Sequence, residues 1–308
     1  STCGQDYNRL EILISDNASD DHTERVCREM AAEDNRIRYI RQPKNIGLYG
    51  NHNFCLDESR GEFICFFHDH DDRDRAIVSR YVRFMQEHPT VGVVCSDWNV
   101  VDAAGERIDS RDRKVPTVVP GLEFITRTFA SGRSSLNTPG AMIRKTALGN
   151  IRFDEDAPIG FGDFIIWFQI AERYAIGHIN ERLWGCLQDQ HSESARTIES
   201  LTRDYYINMT EYCDAHLDRW PEHSAHVRSW RAAVPRYLFW ALMYELGLYF
   251  RYTDGQEPET GSGEKTLFEI FNYRLSEEQF SNAITKLQAY RTGALQHAVF
   301  VIVQLLIR

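Results

Sequence analysis

The chain has 308 residues, 43% hydrophobic and 26% charged, without a long Gly, Ser, Pro or Gln tract. This excludes a disordered or fibrous protein and suits one large domain with appendages, or two domains. Its 45 acidic and 35 basic residues give a formal net charge of -10, and no basic cluster stands out, which argues against a nucleic-acid partner.

From the amino terminus, strand and helix patterns take turns. "LEILISD" (10–16) is strand-like, and "DDHTERVCREMAAED" follows with Asp and Thr start signals and apolar residues near helical spacing. "IRYIRQ" (37–42) reads as a second strand, "LYGNHNFCLDES" as a second helix and "EFICFFHD" as a third strand. "DRAIVSRYVRFMQEH" is a third helix stopped by Pro89, and "VGVVCSDWNVV" a fourth strand. Such alternation predicts an α/β fold with a mostly parallel sheet flanked by helices. Between 106 and 160 the pattern loosens: "TVVPGLEFITRTFA" is helix-like, "SGRSSLNTPG" a loop and "GAMIRK" a strand, before "GFGDFIIWFQIAERY" restores an apolar helix over 162–174. Beyond about 195 the patterns are helical, so the expected division is 1–195 and 196–308. The tail aromatics, from Trp220 and Trp230 to Phe250, read as helix-packing core ahead of an acceptor groove.

Seven scattered cysteines without a C-x-x-C pair read as reduced thiols of a cytoplasmic protein. No apolar run approaches the ~18 residues of a membrane span, and no signal peptide is visible. The C-terminal "AVFVIVQLLIR" reads as a packed terminal helix, with a peripheral foot on the inner membrane face as the second reading.

Two acidic strand ends carry the chemistry. "FICFFHDHDD" places Asp69, Asp71 and Asp72 at the exit of a buried strand, where like charges repel and a cation is the expected compensation. Asp72 also suits a cap for the helix that begins near Asp74. In "ISDNASDDHT", Asp16 ends a strand; its carboxylate suits an Asx-turn or helix cap, and equally a nucleobase or ribose contact. In open α/β sheets both strand ends face the ligand crevice.

Together, "EILISDNASDDHT", "NIGLYGNHN", "GEFICFFHDHDD" and "GFGDFIIWFQIA" resemble a family 2 glycosyltransferase of the nucleotide-diphospho-sugar transferase (GT-A) fold, over roughly residues 5–195. The resemblance implies donor binding by Asp16, Asn45, Gly47, Asn53 and Asp69, the asparagines and glycine matching the family's N-x-G-x5-N. It implies a D-x-D at Asp69–Asp71 that holds Mg2+ or Mn2+, with His191 of "LQDQHSESA" as a further ligand or phosphate donor. It makes Asp163 the base that takes the acceptor hydroxyl's proton during inversion. His52 stands where the family often carries Arg, Gly162 where it carries Glu, and Gln169 where it carries Arg. By the same resemblance, the family's first strand lies ahead of "STCGQDYN" and is lacking here.

The implied function is metal-dependent, inverting transfer of a sugar from a nucleotide-diphosphate donor to a saccharide or lipid-linked acceptor. Without spans or a Q-x-x-R-W element, single addition is favoured over processive synthesis. A sugar-phosphate nucleotidyltransferase would need a Gly-rich loop and basic signature that are not visible. A phosphatase of the haloacid dehalogenase type would need Thr where Arg73 stands. A non-catalytic sugar-nucleotide or partner-binding protein is the alternative from another class, supported by Gly162, Gln169 and the absent strand.

Overall fold

The computed structural model describes residues 2–68, 71–102, 105–111, 115–131, 134–157, 162–187, 208–217 and 220–234. The chain divides into two compact units, Ser1–Ile125 with Ser134–Ser192, and Thr126–Arg133 with Glu193–Arg308.

The first unit opens with β1 (Ile12–Asp16), α1 (Thr23–Glu33) and β2 (Ile37–Arg41). β1 and β2 pair in parallel, and their register sets Asp16 beside Arg41 at the carboxyl ends of both strands. α2 (Leu48–Glu58) leads to β3 (Phe63–Cys65), and β4 (Asp72–Arg73) is followed by α3 (Ile77–Glu87) and β5 (Val91–Val101). β6 (Arg107–Arg111), β7 (Val118–Val119), α4 (Gly121–Ser131), β8 (Ala141–Arg144), α5 (Lys145–Leu148), α6 (Gly162–Ala171) and β9 (Ala175–Leu187) complete the order. A 3-10 turn, Thr138–Gly140, runs directly into β8.

The larger sheet has the order β3-β8-β5-β9-β4, with β6 on β5 and β7 on β9. Its long central pairing, β5 with β9, is parallel, as the alternating pattern foretells. β3–β8, β5–β8, β4–β9, β5–β6 and β7–β9 are antiparallel. Most of these come from the stretch where strand–helix alternation lapses. β6 follows β5 without a crossover helix, so it returns beside its predecessor and runs the other way.

Apolar periodicity explains the covering layer. α3 buries Ile77, Tyr81, Val82, Phe84 and Met85, which pack with Val91, Val94, Trp98, Met142, Leu183 and Trp184. Each such side chain withdrawn from water contributes roughly 1.5–3 kcal/mol. The first eight residues of β5 are buried, as a strand covered on both faces requires.

Three local expectations are corrected. The apolar run at 63 forms only a three-residue strand. Asp72 belongs to β4, opposite Gly185; α3 has no side-chain cap at its N-cap residue Ala76, and Asp74 instead forms an Asx-type turn ahead of it, Oδ1 accepting the Ala76 amide at 2.8 Å. β9 is absent from the periodicity reading because Asn180, Glu181 and Arg182 interrupt its apolar run. The ladder to β5 slips in register there, so the polar residues sit in a bulge while pairing continues.

In the second unit, residues 208–217 and 224–234 are helical. Trp230 is buried; it stacks on Phe129 at 5.8 Å and donates to Thr126 Oγ1 at 2.8 Å. Tyr237, Phe239, Trp240, Tyr244, Tyr249, Phe250, the linker-like stretch at 251–265 and the apolar end at 298–308 lie outside the described residues. Among the described residues no helix is long and apolar enough to cross a membrane.

Candidate active site

Asp16 ends β1 with its side chain fully buried. Oδ1 accepts the Ser19 amide at 2.8 Å, which is the Asx-type turn that its neighbours suit. Oδ2 accepts Tyr39 Oη at 2.6 Å and Arg41 Nη1 at 2.8 Å. Burial works against the charge, but the hydrogen bonds from Tyr39, Ser19 and Arg41 outweigh it and lower the carboxyl to about 2. The carboxylate therefore locks the end of β1 to β2.

The N-x-G stretch closes the same corner. Asn45 Oδ1 accepts from Asn17 Nδ2 at 3.0 Å and from the Gly47 amide at 2.8 Å, while Asn17 Oδ1 accepts the Ile46 amide at 2.9 Å. Gly47 precedes α2 with φ +80°, a torsion that side chains rarely adopt. Two of the family-like pieces are thus clasped through Asn17. Asn53 is buried and turns elsewhere: it exchanges hydrogen bonds with the Phe153 backbone at 2.9 and 2.8 Å and donates to Glu155 at 3.1 Å. Its side chain braces the segment that leads toward α6.

His52 does not replace an arginine's charge. Its ring packs among Phe66, Phe153 and His68 at 4.7, 5.2 and 6.1 Å. Burial, with help from His68, lowers it to about 4, so it is neutral near pH 7. Tyr49, one helical turn earlier, explains a second departure. It stacks on Phe153 at 5.5 Å and accepts the Gly162 amide at 3.1 Å. A Cβ on Gly162 would stand 2.6 Å from the Tyr49 ring, so the place of a family glutamate is filled by this tyrosine.

Asp71 and Arg73 form a pair whose side chains are each 1% exposed. Arg73 Nη2 reaches Asp71 Oδ2 at 3.3 Å and the Pro139 carbonyl at 3.0 Å. The guanidinium lies between Phe67 and Trp184, 4.9 and 5.1 Å from their ring centres. Asp71 Oδ1 accepts the Leu187 amide at 3.2 Å. At Asp71, then, a compensating cation is present, and it is Arg73. Each carboxylate oxygen has two lone pairs, so Asp71 retains the donor chemistry of a hard divalent ion. Among the described residues no group of three or more His, Cys, Asp or Glu is arranged to hold a metal. Asp69 and His191 lie outside the described residues.

Asp163 sits in the first turn of α6, where the helix dipole favours a carboxylate. Its Oδ2 accepts Thr138 Oγ1 at 2.5 Å and the Thr138 amide at 3.4 Å. Burial raises its carboxyl above the ordinary value, and the Thr138 hydrogen bonds act in the opposite direction. A half-buried carboxylate fixed through one oxygen can accept a proton on the other.

Sequence reading passed over Tyr49, Arg73 and Thr138. Arg73, two residues after Asp71, is the one with a local signal, since a cation beside an acidic cluster suggests pairing.

The family model described as "Glycosyl transferase family 2" matches residues 1–150. The chain is 41% identical over 69 residues to the GalNAc(5)-diNAcBac-PP-undecaprenol beta-1,3-glucosyltransferase of Campylobacter jejuni, an alignment covering 22% of each protein. It is 30% identical over 134 residues to the putative glycosyltransferase EpsE of Bacillus subtilis, covering 43% of this chain and 47% of that one. It thus spans less than half the length of these curated relatives. Among solved structures, S. aureus TarS 1-349 in complex with UDP-GlcNAc is similar with TM-score 0.60 and 15% identity, over 98% of this chain and 84% of that one. The mannosyltransferase PcManGT from Pyrobaculum calidifontis, in complex with GDP-Man and Mn2+, has TM-score 0.52 and 16% identity, over 99% and 80%. The fold is therefore GT-A, as the motif order implies.

Proposed function

We propose that this chain, whose residues 1–150 belong to glycosyl transferase family 2, moves a sugar from a nucleotide-diphosphate donor to an acceptor hydroxyl with inversion at the anomeric carbon. The observation that carries the reading is Asp163, a carboxylate raised by burial and held through a single oxygen at the start of an apolar helix. Inversion needs one base on the face opposite the leaving diphosphate, and Asp163 is suited to accept the proton as the hydroxyl oxygen attacks.

Donor binding falls to the clasped corner of Asp16, Asn45 and Gly47 and to the helix that Gly47 opens. Exposed backbone N–H groups at such a helix start favour phosphate. Asp16 would read the base, with Arg41 and Tyr39 fixing its buried carboxylate at the end of β1; Asn53 contributes by bracing the Phe153 segment. Asp71, with Asp69 and His191, would hold Mg2+ or Mn2+, an ion that keeps water and phosphate oxygens beside one or two carboxylates. When bound, that ion supplies charge neutralisation for the departing diphosphate. Arg73 orients Asp71 through its Nη2 contact at 3.3 Å.

Structural relatives in complex with UDP-GlcNAc, and with GDP-Man and Mn2+, support the donor class and the ion. The name of the Campylobacter relative includes PP-undecaprenol, which favours a lipid-linked or saccharide acceptor. Work on such an acceptor would take place at the cytoplasmic membrane face. Residues 1–195 would form the donor-binding and catalytic domain, followed by a helical region over 196–308. Asp163→Asn tests the assignment. Donor binding measured by calorimetry is expected to persist while transfer falls by roughly a hundredfold or more. Turnover near the wild-type rate would remove Asp163 from the role.

A further inference from the structure

We infer that Thr138 is the positioning residue of the acceptor-side carboxylate, aiming Asp163 from a turn that the core holds rigid. The inference rests on the reading of Asp163 as base.

Thr138 is 2% exposed and directs two donors, its hydroxyl and its amide, at one oxygen of Asp163. Both donors engaging Oδ2 fixes the carboxylate plane and leaves Oδ1 as the proton-accepting oxygen. A hydroxyl without a task at this depth would itself be costly, since a buried polar group needs a partner. Among the described residues, Thr138's hydroxyl and amide are the groups that act on Asp163; no charged side chain there contributes.

The turn is anchored from below at both of its remaining residues. The Pro139 carbonyl accepts Arg73 Nη2 at 3.0 Å, and the Gly140 carbonyl accepts Tyr81 Oη at 2.9 Å. Tyr81 is 1% exposed and also bonds Ser96 Oγ at 2.8 Å, while the same Arg73 nitrogen reaches Asp71. Thr138 and Pro139 are adjacent in sequence, so one peptide unit links the hold on Asp163 to the hold on Asp71. A base and a leaving-group site on opposite sides of one carbon must keep their separation to a fraction of an ångström, and a misplacement of about 1 Å can cost about a hundredfold in rate.

The test uses the full chain labelled with 13C-carboxyl aspartate, the Asp163 resonance being assigned with Asp163→Asn. Its titration midpoint is followed in the wild type, Thr138→Val, Thr138→Ala and Thr138→Ser. In parallel, kcat and KM are measured across pH for hydrolysis of UDP-N-acetylglucosamine and GDP-mannose with Mn2+. Removing the hydroxyl is expected to move the midpoint and the acid limb of kcat to higher pH. It is also expected to lower kcat by about tenfold or more with donor KM within about twofold, and Thr138→Ser is expected to restore both. An unmoved midpoint in Thr138→Ala, or a Ser variant as defective as Val, overturns the inference. Thr138→Ala serves if Thr138→Val fails to give a cooperative thermal transition. Asp163→Asn hydrolysing donor at the wild-type rate would instead overturn the base assignment, while the midpoints still report whether Thr138 holds that carboxylate.

Discussion

Three carboxylates of comparable sequence context meet three environments. Asp16 is surrounded by donors and lies well below the ordinary range, Asp71 shares an apolar slot with an arginine, and Asp163 is raised by burial against a single threonine. For Asp16 the sign of the pH effect follows from its lowering from 3.8 to about 2. Its contribution to stability is complete above the unfolded value and is lost as pH falls through the folded one. Urea midpoints measured against pH are therefore expected to decline between about pH 4 and pH 2. Asp16→Asn should be less stable than the wild type at pH 7, with the two curves converging as pH approaches 2. Parallel curves would show that Asp16 gains nothing from Tyr39, Ser19 and Arg41.

At the scale of elements, α2 couples two parts of the site. Asn51 and the stretch before the helix bond to the end of β1, while Tyr49 and Asn53 bond to Gly162 and to Phe153 and Glu155. A change at Gly162 should therefore be felt through Tyr49. Gly162→Ala is expected to destabilise the protein by about 1–3 kcal/mol, as overpacking does, and pairing it with Tyr49→Ala should recover part of the loss. A thermal-denaturation cycle over the two substitutions measures this coupling; additive losses would show that the ring and the glycine do not compete for space. The 3-10 turn at Thr138 is the second such coupler; it lies outside the motifs that reveal the family, and Tyr49 occupies an unspecified position within N-x-G-x5-N.

For the whole molecule, the proposed chemistry links stability to ligands. A nucleoside diphosphate that binds the folded state raises stability by about 2.7 kcal/mol at a hundred times its dissociation constant. If Asp71 and its neighbours grip a divalent ion through the diphosphate, UDP or GDP with Mn2+ should raise the Tm by several degrees. Either ligand alone should raise it by less. A thermal-shift panel measures this, and equal shifts with and without Mn2+ would remove the metal from donor binding.

The amino-acid sequence by itself determined the α/β class, the helices covering the sheet and the acidic end of β1 at Asp16. These rest on local periodicity and on short spacings such as Asn45-x-Gly47, which a chain displays wherever it is read. Only the tertiary structure decided that Arg73 balances Asp71, that His52 is a neutral ring in an aromatic cluster and that Tyr49 fills the space beside Gly162. It also decided that Thr138 holds Asp163. Each of these depends on residues brought together by strand order and packing, and Thr138 meets Asp163 across 25 positions of sequence. Charge balance and steric fit are properties of neighbours in space, and periodicity along the chain carries no record of them.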